Sequence, residues 1–378
     1  MIVQAITVDG FRNLEDVALA PSAEVNLLFG ENGQGKTSLI EALWMFSAGA
    51  SFRTARIAEL VGFDCAFARL TLRFFCAGRS QEATLGLEKA PAKKLFKVGG
   101  IERRANSEEL DLPMVLFQPD DLELVKAGPQ ARRALLDTVL VQMLPRYRKN
   151  LAEYNRCLLQ RNSLLKTMFK QRGRQNFELL DVLDVALAKL GVYLTRERRR
   201  LVERLGAEAA RLYEGIAGGR ERLTAEYRSG VFETFPAEDR QAWELRYYEA
   251  VCARRSDDLQ AGFTTVGAHR DDLALCLDGR PAKAFGSQGQ QRTAAIACKL
   301  GSAGVLYEST GERPVVLLDD VFSELDDRRR QFILDTVTEN QIFVTGCDVG
   351  SFRALTPRTR AVQRFQVQAG RIAAQDGA

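Results

Sequence analysis

Residues 25–46, VNLLFGENGQGKTSLIEALWMF, restrict the possible folds more than any other stretch of the chain. VNLLF (Val25 to Phe29) is a short, mostly apolar run, as expected of a buried strand. The segment after Gly35 places apolar residues at 39, 40, 43 and 46, which is helical spacing. Between them lies GENGQGKT, that is Gly30, Glu31, Asn32, Gly33, Gln34, Gly35, Lys36 and Thr37, followed by Ser38. It fits G-x-x-x-x-G-K-[ST] in the strand–loop–helix setting that gives this pattern its meaning. Glycines allow backbone N–H groups to converge on phosphate oxygens, and a helix N-terminus adds free donors and partial positive charge. Lys36 is then placed for the β- and γ-phosphates of a nucleotide, and Thr37 for Mg²⁺.

A second element has the complementary chemistry. VVLLDD (Val315 to Asp320) reads as an apolar strand ending in carboxylate. Asp319 suits a Mg²⁺ ion, held through water, and Asp320 stands where a general base faces an attacking water. Acidic strand ends are common, so this signal gains its weight from the glycine-rich loop. FSELDD follows, and Ser323 to Asp326 are placed to border a second nucleotide. A third stretch, FGSQGQQRT (Phe285 to Thr293), has two glycines, three glutamines and one apolar residue. A turn does not need such a composition, and a core helix is not expected to open this way.

The first ~120 residues read as sheet-rich α/β, with ARLTLRFF, EATLGLE and KKLFKV as strands of a meander and MVLF (Met114 to Phe117) as a buried strand. From about Pro129 to Gly215 the pattern is helical. Leu151, Tyr154, Leu158, Leu165 and Met168 share one register, and Leu180, Leu183, Leu187, Leu190, Leu194 and Leu201 another. QRGRQN (Gln171 to Asn176) separates them. An antiparallel hairpin with arms of about 25 residues would reach about 35–40 Å; a compact bundle would use the same stripes. GIAGGR ends the helical region. PVVLLDD, DRRRQFILDTV, QIFVTG and AVQRFQVQAGRI then read as strand, helix, strand and closing hairpin or strand. One sheet domain built from both ends, with the helical region inserted, is the expected architecture.

The chain is 378 residues long, enough for one large or two moderate domains. MIVQAITVDG alternates like a strand and lacks the features of a secretory signal, no run approaches a membrane span, and the seven scattered cysteines read as reduced thiols. These features point to a cytosolic protein without a membrane partner. The net charge of +4 conceals an asymmetry: residues 126–228 hold 22 Lys/Arg against 11 Asp/Glu. That excess is compatible with a solvated helix face or with binding a polyanion.

Together GENGQGKT, SQGQQR and LLDDVFSELD resemble the ABC-type ATPase heads of the SMC class. GFRN (10–13), SFRT (51–54), GPQARRALLD (128–137) and GAHRDDL (267–273) narrow the resemblance to the bacterial RecF family, over nearly the whole chain and in the right order. The resemblance implies an α/β head: a mixed sheet around the phosphate loop (lobe I, 1–120 and 295–378) and a mostly helical lobe II (121–294) with a short antiparallel hairpin. It implies ATP and Mg²⁺ as cofactors. It places Ser287, Gln288, Gly289 and Gln290, with Asp326, against the ATP of a partner chain, so that ATP joins a head-to-tail homodimer. Gln118 stands near the position of a glutamine that senses Mg²⁺ and attacking water, and Arg12 and Asn13 approach the nucleotide. Arg53, Arg132 and Arg133 are candidate DNA contacts, Arg53 being equally suited to an ion pair. The family's function is an ATP-dependent DNA clamp at gapped, duplex or single-strand/duplex junction DNA. It acts with RecR- and RecO-type mediators in recombinase loading, in the cytoplasm at the nucleoid.

Two departures matter. Asp320 replaces the usual glutamate, one methylene shorter, which suggests slow hydrolysis suited to a switch. Thr345 stands where ABC transporters place a histidine, while His269, the only histidine, lies in GAHRDD and is read as structural more readily than catalytic. Two other classes fit parts of the pattern. One is a transporter's nucleotide-binding subunit, which would carry the missing histidine. The other is a small-molecule kinase, which would not need SQGQQR or SELD.

Overall fold

The computed structural model describes residues 1–103, 112–170, 176–219, 221–237, 239–347 and 361–375. In chain order the N-terminal part comprises β1 (Ile2–Asp9), β2 (Val17–Leu19), β3 (Val25–Phe29), α1 (Lys36–Ala48), β4 (Phe67–Cys76), β5 (Arg79–Glu88), β6 (Lys93–Val98), β7 (Ile101–Arg103) and β8 (Met114–Phe117). The middle holds α2 (Pro129–Met143), α3 (Pro145–Lys170), α4 (Phe177–Ala217), β9 (Leu223–Arg228), α5 (Arg240–Ala253), α6 (Arg255–Ala261), β10 (Asp272–Leu277), β11 (Arg280–Pro281), α7 (Ala282–Phe285) and α8 (Gln288–Thr310). The chain closes with β12 (Val315–Leu318), α9 (Asp327–Thr336), β13 (Ile342–Gly346), β14 (Val362–Gln368) and β15 (Arg371–Gln375).

The central sheet runs β15-β14-β3-β13-β12-β8 and is parallel except for the β14–β15 hairpin. Its strands come from both ends of the chain, and β3, β13, β12 and β8 are buried on both faces because both are covered, whereas β14 and β15 carry exposed polar residues. Period-2 alternation assigns the sides. Val316 and Leu318 join the core under α2, α4 and α8, while Val315 and Leu317 join the core shared with α1 and the antiparallel sheet β2-β1-β4-β5-β6-β7. That second sheet contains the expected meander of β4, β5 and β6. α8 runs unbroken across 294–295, where the lobe boundary was expected, and it packs on both α4 and β8.

The helical hairpin is packed rather than free-standing. α4 spans 41 residues, well beyond the expected arm, and packs along α3, α8, α5 and β9. Leu180, Leu183, Leu187, Leu194 and Leu201 are buried on one stripe. Gly218, at φ 72°, closes α4. The expected turn at 171–176 lies outside the described residues except for Asn176, whose side chain caps α4.

Much of the middle region's charge is directed inward. Arg161 is fully buried between Asp184 and Asp258, at 2.6 Å from each. Arg198 grips Asp137, bonds the Ala268 carbonyl and faces the buried Asp271. Burial pushes the Asp271 carboxyl up, against the pull of Arg198 and the Tyr227 hydroxyl. GPQARRALLD and GAHRDDL thus meet in one polar lattice, in which each charged partner satisfies the other.

His269 belongs to this lattice. Its Nε2 lies 3.0 Å from the Thr264 carbonyl, which can only accept, so Nε2 carries the proton and Nδ1 accepts from the Tyr154 hydroxyl at 2.9 Å. Burial lowers its pKa from 6.5 to about 4, with Arg270 and Arg133 adding to the effect. Between those values the unfolded chain binds a proton that the folded chain does not. Stability therefore rises with pH through that window and loses this dependence above it. Urea titrations should show that acidification from pH 6.5 to 4 costs the parent about 3 kcal/mol more than it costs His269→Gln; parallel pH profiles would contradict the assignment.

Candidate functional site

β3 delivers the chain to the glycine-rich loop at the C-terminal edge of the parallel sheet, where ligand crevices form in such folds. Two glycines are sterically required. Gly30 has φ 152° and a Cβ there would collide with the Val367 carbonyl. Gly35 has φ 119° and its Cβ would come within 2.9 Å of Leu14. Gly35 caps α1 with no side-chain bond, leaving the helix's first N–H groups free. Lys36 is buried, and its ammonium turns back onto the Gly30 and Glu31 carbonyls.

Across the sheet, β13 lies between β3 and β12. Leu318 pairs with Val344, so the next residues, Asp319 and Thr345, meet at the strand ends. Thr37 Oγ1 donates to Asp319 Oδ1 at 3.0 Å, and Thr345 Oγ1 donates to the same oxygen at 3.1 Å. Thr345 in turn accepts from the Asp320 N–H at 2.8 Å. Burial pushes the Asp319 carboxyl up, with Thr37 and Thr345 pulling it down. A hydroxyl and a carboxylate at this spacing fit Mg²⁺, which takes few protein oxygens and completes its shell with phosphate and water. Among the described residues no larger cluster of metal-binding side chains exists.

A cavity of about 780 Å³ opens beside this edge, lined by Arg12, Asn13, Asn32, Gly33, Gly35, Lys36, Thr37, Ser38, Arg53 and Asp320, with Thr345. Asn13 joins the loop to the helix: its amide donates to the Gly33 carbonyl, and its oxygen accepts from Ser38 Oγ. Arg12 forms a two-pronged bond to Glu41, at 3.0 and 2.8 Å. Arg53 lies 3.7 Å from the same carboxylate. Glu41 is fully buried on α1 and was not singled out from the sequence; an acid inside the apolar run LIEALWMF was the available signal. Ala58, Glu59, Val61, Phe63 and Lys89 also line the cavity without any motif to announce them. Gln34 points elsewhere, its amide oxygen accepting from Ala369 N–H.

Gln118 does not line this cavity. It follows β8, beyond β12 from β3, and with Asp121 it caps a 3₁₀ turn while bordering a separate cavity. Arg132, expected as a DNA contact, is buried with both prongs on Asp272 and further bonds to the 124, 125 and 127 carbonyls. Arg133 is half-buried and donates to the Asp271 carbonyl. The lattice uses these two arginines, whereas Arg53 keeps half its surface open.

The SQGQQR segment builds a different cleft, of about 520 Å³, lined by Ser287, Gly289, Gln290, Thr293, Asp326 and Arg329 among others. Ser287 is the N-cap of α8 in a capping box with Gln290. Gln290 also donates to Glu221, and Gln291 binds the 282, 283 and 286 carbonyls. Gln288 is exposed. Contrary to expectation, the helix that opens this way is a core helix, because its polar first turn is followed by the buried run Ala294–Cys298. Arg329 ties Gly289 and Thr293 to Asp326, so SQGQQR and SELD form one surface. The two cavities share no lining residue.

The comparisons agree with this geometry. Residues 2–368 match the family described as RecF/RecN/SMC N terminal domain. The chain is 36% identical to the DNA replication and repair protein RecF of Halalkalibacterium halodurans over 98% of this chain and 99% of that protein. It is 35% identical to the RecF of Shouchella clausii over 91% and 92%. A solved structure of the recombination mediator protein RecF with ATPrS, in the RecFOR pathway, superposes with a TM-score of 0.90 at 30% identity, covering 99% of this chain and 98% of that one. A head of the Smc class shares the fold at a TM-score of 0.56 and 14% identity. The phosphate loop, the carboxylate-ended strand and the α8 cap stand on the ATPase head that these relatives share, and the chain belongs to the RecF family of DNA replication and repair proteins.

Proposed function

We propose that this chain is an ATP-driven switch that binds DNA as a head-to-tail homodimer. The observation carrying this reading is that its nucleotide elements occupy two separate open clefts, one with Lys36, Thr37 and Asp320, the other with Ser287, Gly289 and Asp326. Each cleft is half of a nucleotide site, and a second copy supplies the other half. RecF structures with ATP and with ATPrS support ATP as the ligand.

In the proposed site the Gly33–Thr37 backbone and Lys36 hold the phosphates, Lys36 leaving its loop carbonyls to do so. Thr37 and Asp319 would hold Mg²⁺, which neutralises phosphate charge when bound. Asp320 orients and deprotonates the attacking water; its short side chain and the fixed Thr345 contact suit slow turnover. Ser287 and the free N–H groups at the start of α8 meet the γ-phosphate of the partner's ATP. Hydrolysis removes that link and releases the dimer. Gln118 needs a movement of its turn to reach the site.

DNA binding is supported by the family's role and by exposed cations on α3, namely Arg146, Lys149, Arg156 and Lys166. Such contacts neutralise phosphates without reading bases, so binding should weaken steeply with salt. RecR- and RecO-type mediators are the proposed protein partners, and recombinase loading at single-strand gaps the proposed outcome, in the cytoplasm. No helix among the described residues is long and apolar enough to cross a membrane.

Three variants test the reading. Lys36→Met should weaken ATP binding at least ~100-fold, since a charge-assisted phosphate contact is lost; unchanged affinity in calorimetry would remove the phosphate-loop assignment. Ser287→Arg should bind ATP normally as a monomer yet stay monomeric in light scattering with ATP, Mg²⁺ and gapped duplex; a dimer would refute the shared site. Asp320→Asn should bind ATP but hydrolyse it ~100-fold more slowly, lengthening the life of DNA-bound dimers. Turnover at the parental rate would take Asp320 out of the base role.

A further inference from the structure

We propose that Phe63 is the stacking platform for the nucleobase of the bound nucleotide, with Lys89 and Val61 completing the base end of the cavity. The inference rests on the nucleotide reading of the phosphate-loop cavity and assigns the end of it that no motif reaches.

Phe63 is 91% exposed, the most exposed large apolar side chain among the described residues. An isolated exposed aromatic ring needs no explanation, but this one lines the same cavity as Lys36, Thr37 and Asn13. The lining of this cavity thus combines polar phosphate donors with the apolar Ala58, Val61 and Phe63. Ligand sites for organic cofactors combine these two characters within volumes of about 300–1,000 Å³. A nucleotide has the matching asymmetry: charged phosphates at one end and a flat, polarisable base at the other.

The ring is also held in place relative to the phosphate grip. Val61 forms a β-bridge with Phe11, Gly62 N–H donates to the Gly10 carbonyl at 2.7 Å, and Arg12 N–H donates to the Leu60 carbonyl at 2.8 Å. Gly62 is packed so closely that a Cβ would lie 3.2 Å from the Arg12 carbonyl and 3.2 Å from Cys65 Sγ. The segment 60–63 is therefore stitched to residues 10–12. Asn13, next along, is bonded to Gly33 and Ser38. Lys89 adds a further tie by donating to the Phe63 carbonyl at 2.8 Å and the Gly62 carbonyl at 3.3 Å. Its ammonium lies 5.6 Å from the Phe63 ring centroid. The cation polarises the ring from one side, and the rest of the ring surface remains open. Every base offers a π-face, so such a platform binds by stacking without reading base edges.

The test compares a ligand with a base against one without. ADP is the first probe, because it lacks the γ-phosphate that would recruit a second copy; inorganic tripolyphosphate is the second. Phe63→Ala should weaken ADP binding about tenfold and leave tripolyphosphate binding unchanged in calorimetric competition. Its melting temperature should equal the parent's, since the ring is exposed. Phe63→Trp should keep ADP affinity and show new indole emission quenched by ADP but not by tripolyphosphate. Parental ADP affinity in Phe63→Ala would overturn the inference, and so would an equal loss for both ligands. Unchanged ADP affinity with loss of the ATP-dependent dimer would assign the ring to a contact between copies instead. If Lys36→Met still binds both probes, the phosphate-loop reading itself fails, and the platform with it.

Discussion

Thr37 and Asp319 meet at 3.0 Å although 282 residues separate them. That hydrogen bond exists because β3, β13 and β12 run parallel and in register, so the residues just past their ends share one edge. The sheet in turn depends on two apolar layers, one against α1 and the antiparallel sheet, the other against α2, α4 and α8. Thr345 sits at the end of the intervening strand and contacts both Asp319 and the Asp320 backbone. A hydroxyl there links β13 to the Asp319 carboxylate and to the Asp320 backbone N–H. Burial raises the Asp319 carboxyl, and the Thr37 and Thr345 hydroxyls pull it back down.

The middle region has two electrostatic layers. Arg132, Arg161 and Arg198 are consumed by Asp272, Asp184, Asp258, Asp137 and Asp271 inside the helical bundle. Removing one partner from such a pair leaves an uncompensated buried charge, which is far costlier than the pair is favourable. The cations exposed to solvent, among them Arg146, Lys149, Arg156 and Lys166 on α3 and Lys189 and Arg200 on α4, are those available to a polyanion. Net charge along a segment therefore overstates its basic surface, since Arg132, Arg161 and Arg198 are internal structure.

The two clefts differ in how their elements end. One ends in glycine-rich backbone and a lysine bonded to its own loop; the other ends in the exposed start of a 23-residue helix. In the first, Lys36 is bonded to loop carbonyls, and in the second Gln290 donates to Glu221 and Arg329 to Asp326. In the proposed dimer a nucleotide would bridge the two clefts of two copies, coupling binding to assembly. The packing of α8 along α4 and its tie through Arg329 to Asp326 join this cleft to the helical bundle.

Local residue chemistry determined what could be read from the sequence alone. The strand–loop–helix around Gly30–Thr37, the acid-ended strand at Asp319 and the helical stripes of α3 and α4 all depend on short-range periodicity and glycine geometry. Their roles followed from the family resemblance. Tertiary structure alone decided which of these residues meet. It placed Thr345 between the Asp319 carboxylate and the Asp320 backbone N–H, buried Arg132 and Glu41, kept Gln118 outside the cavity and brought Phe63 to its lining. The physical reason is that strand order and long-range packing set these distances, and a side chain's surroundings are supplied by residues hundreds of positions away. No periodicity in the chain itself records them.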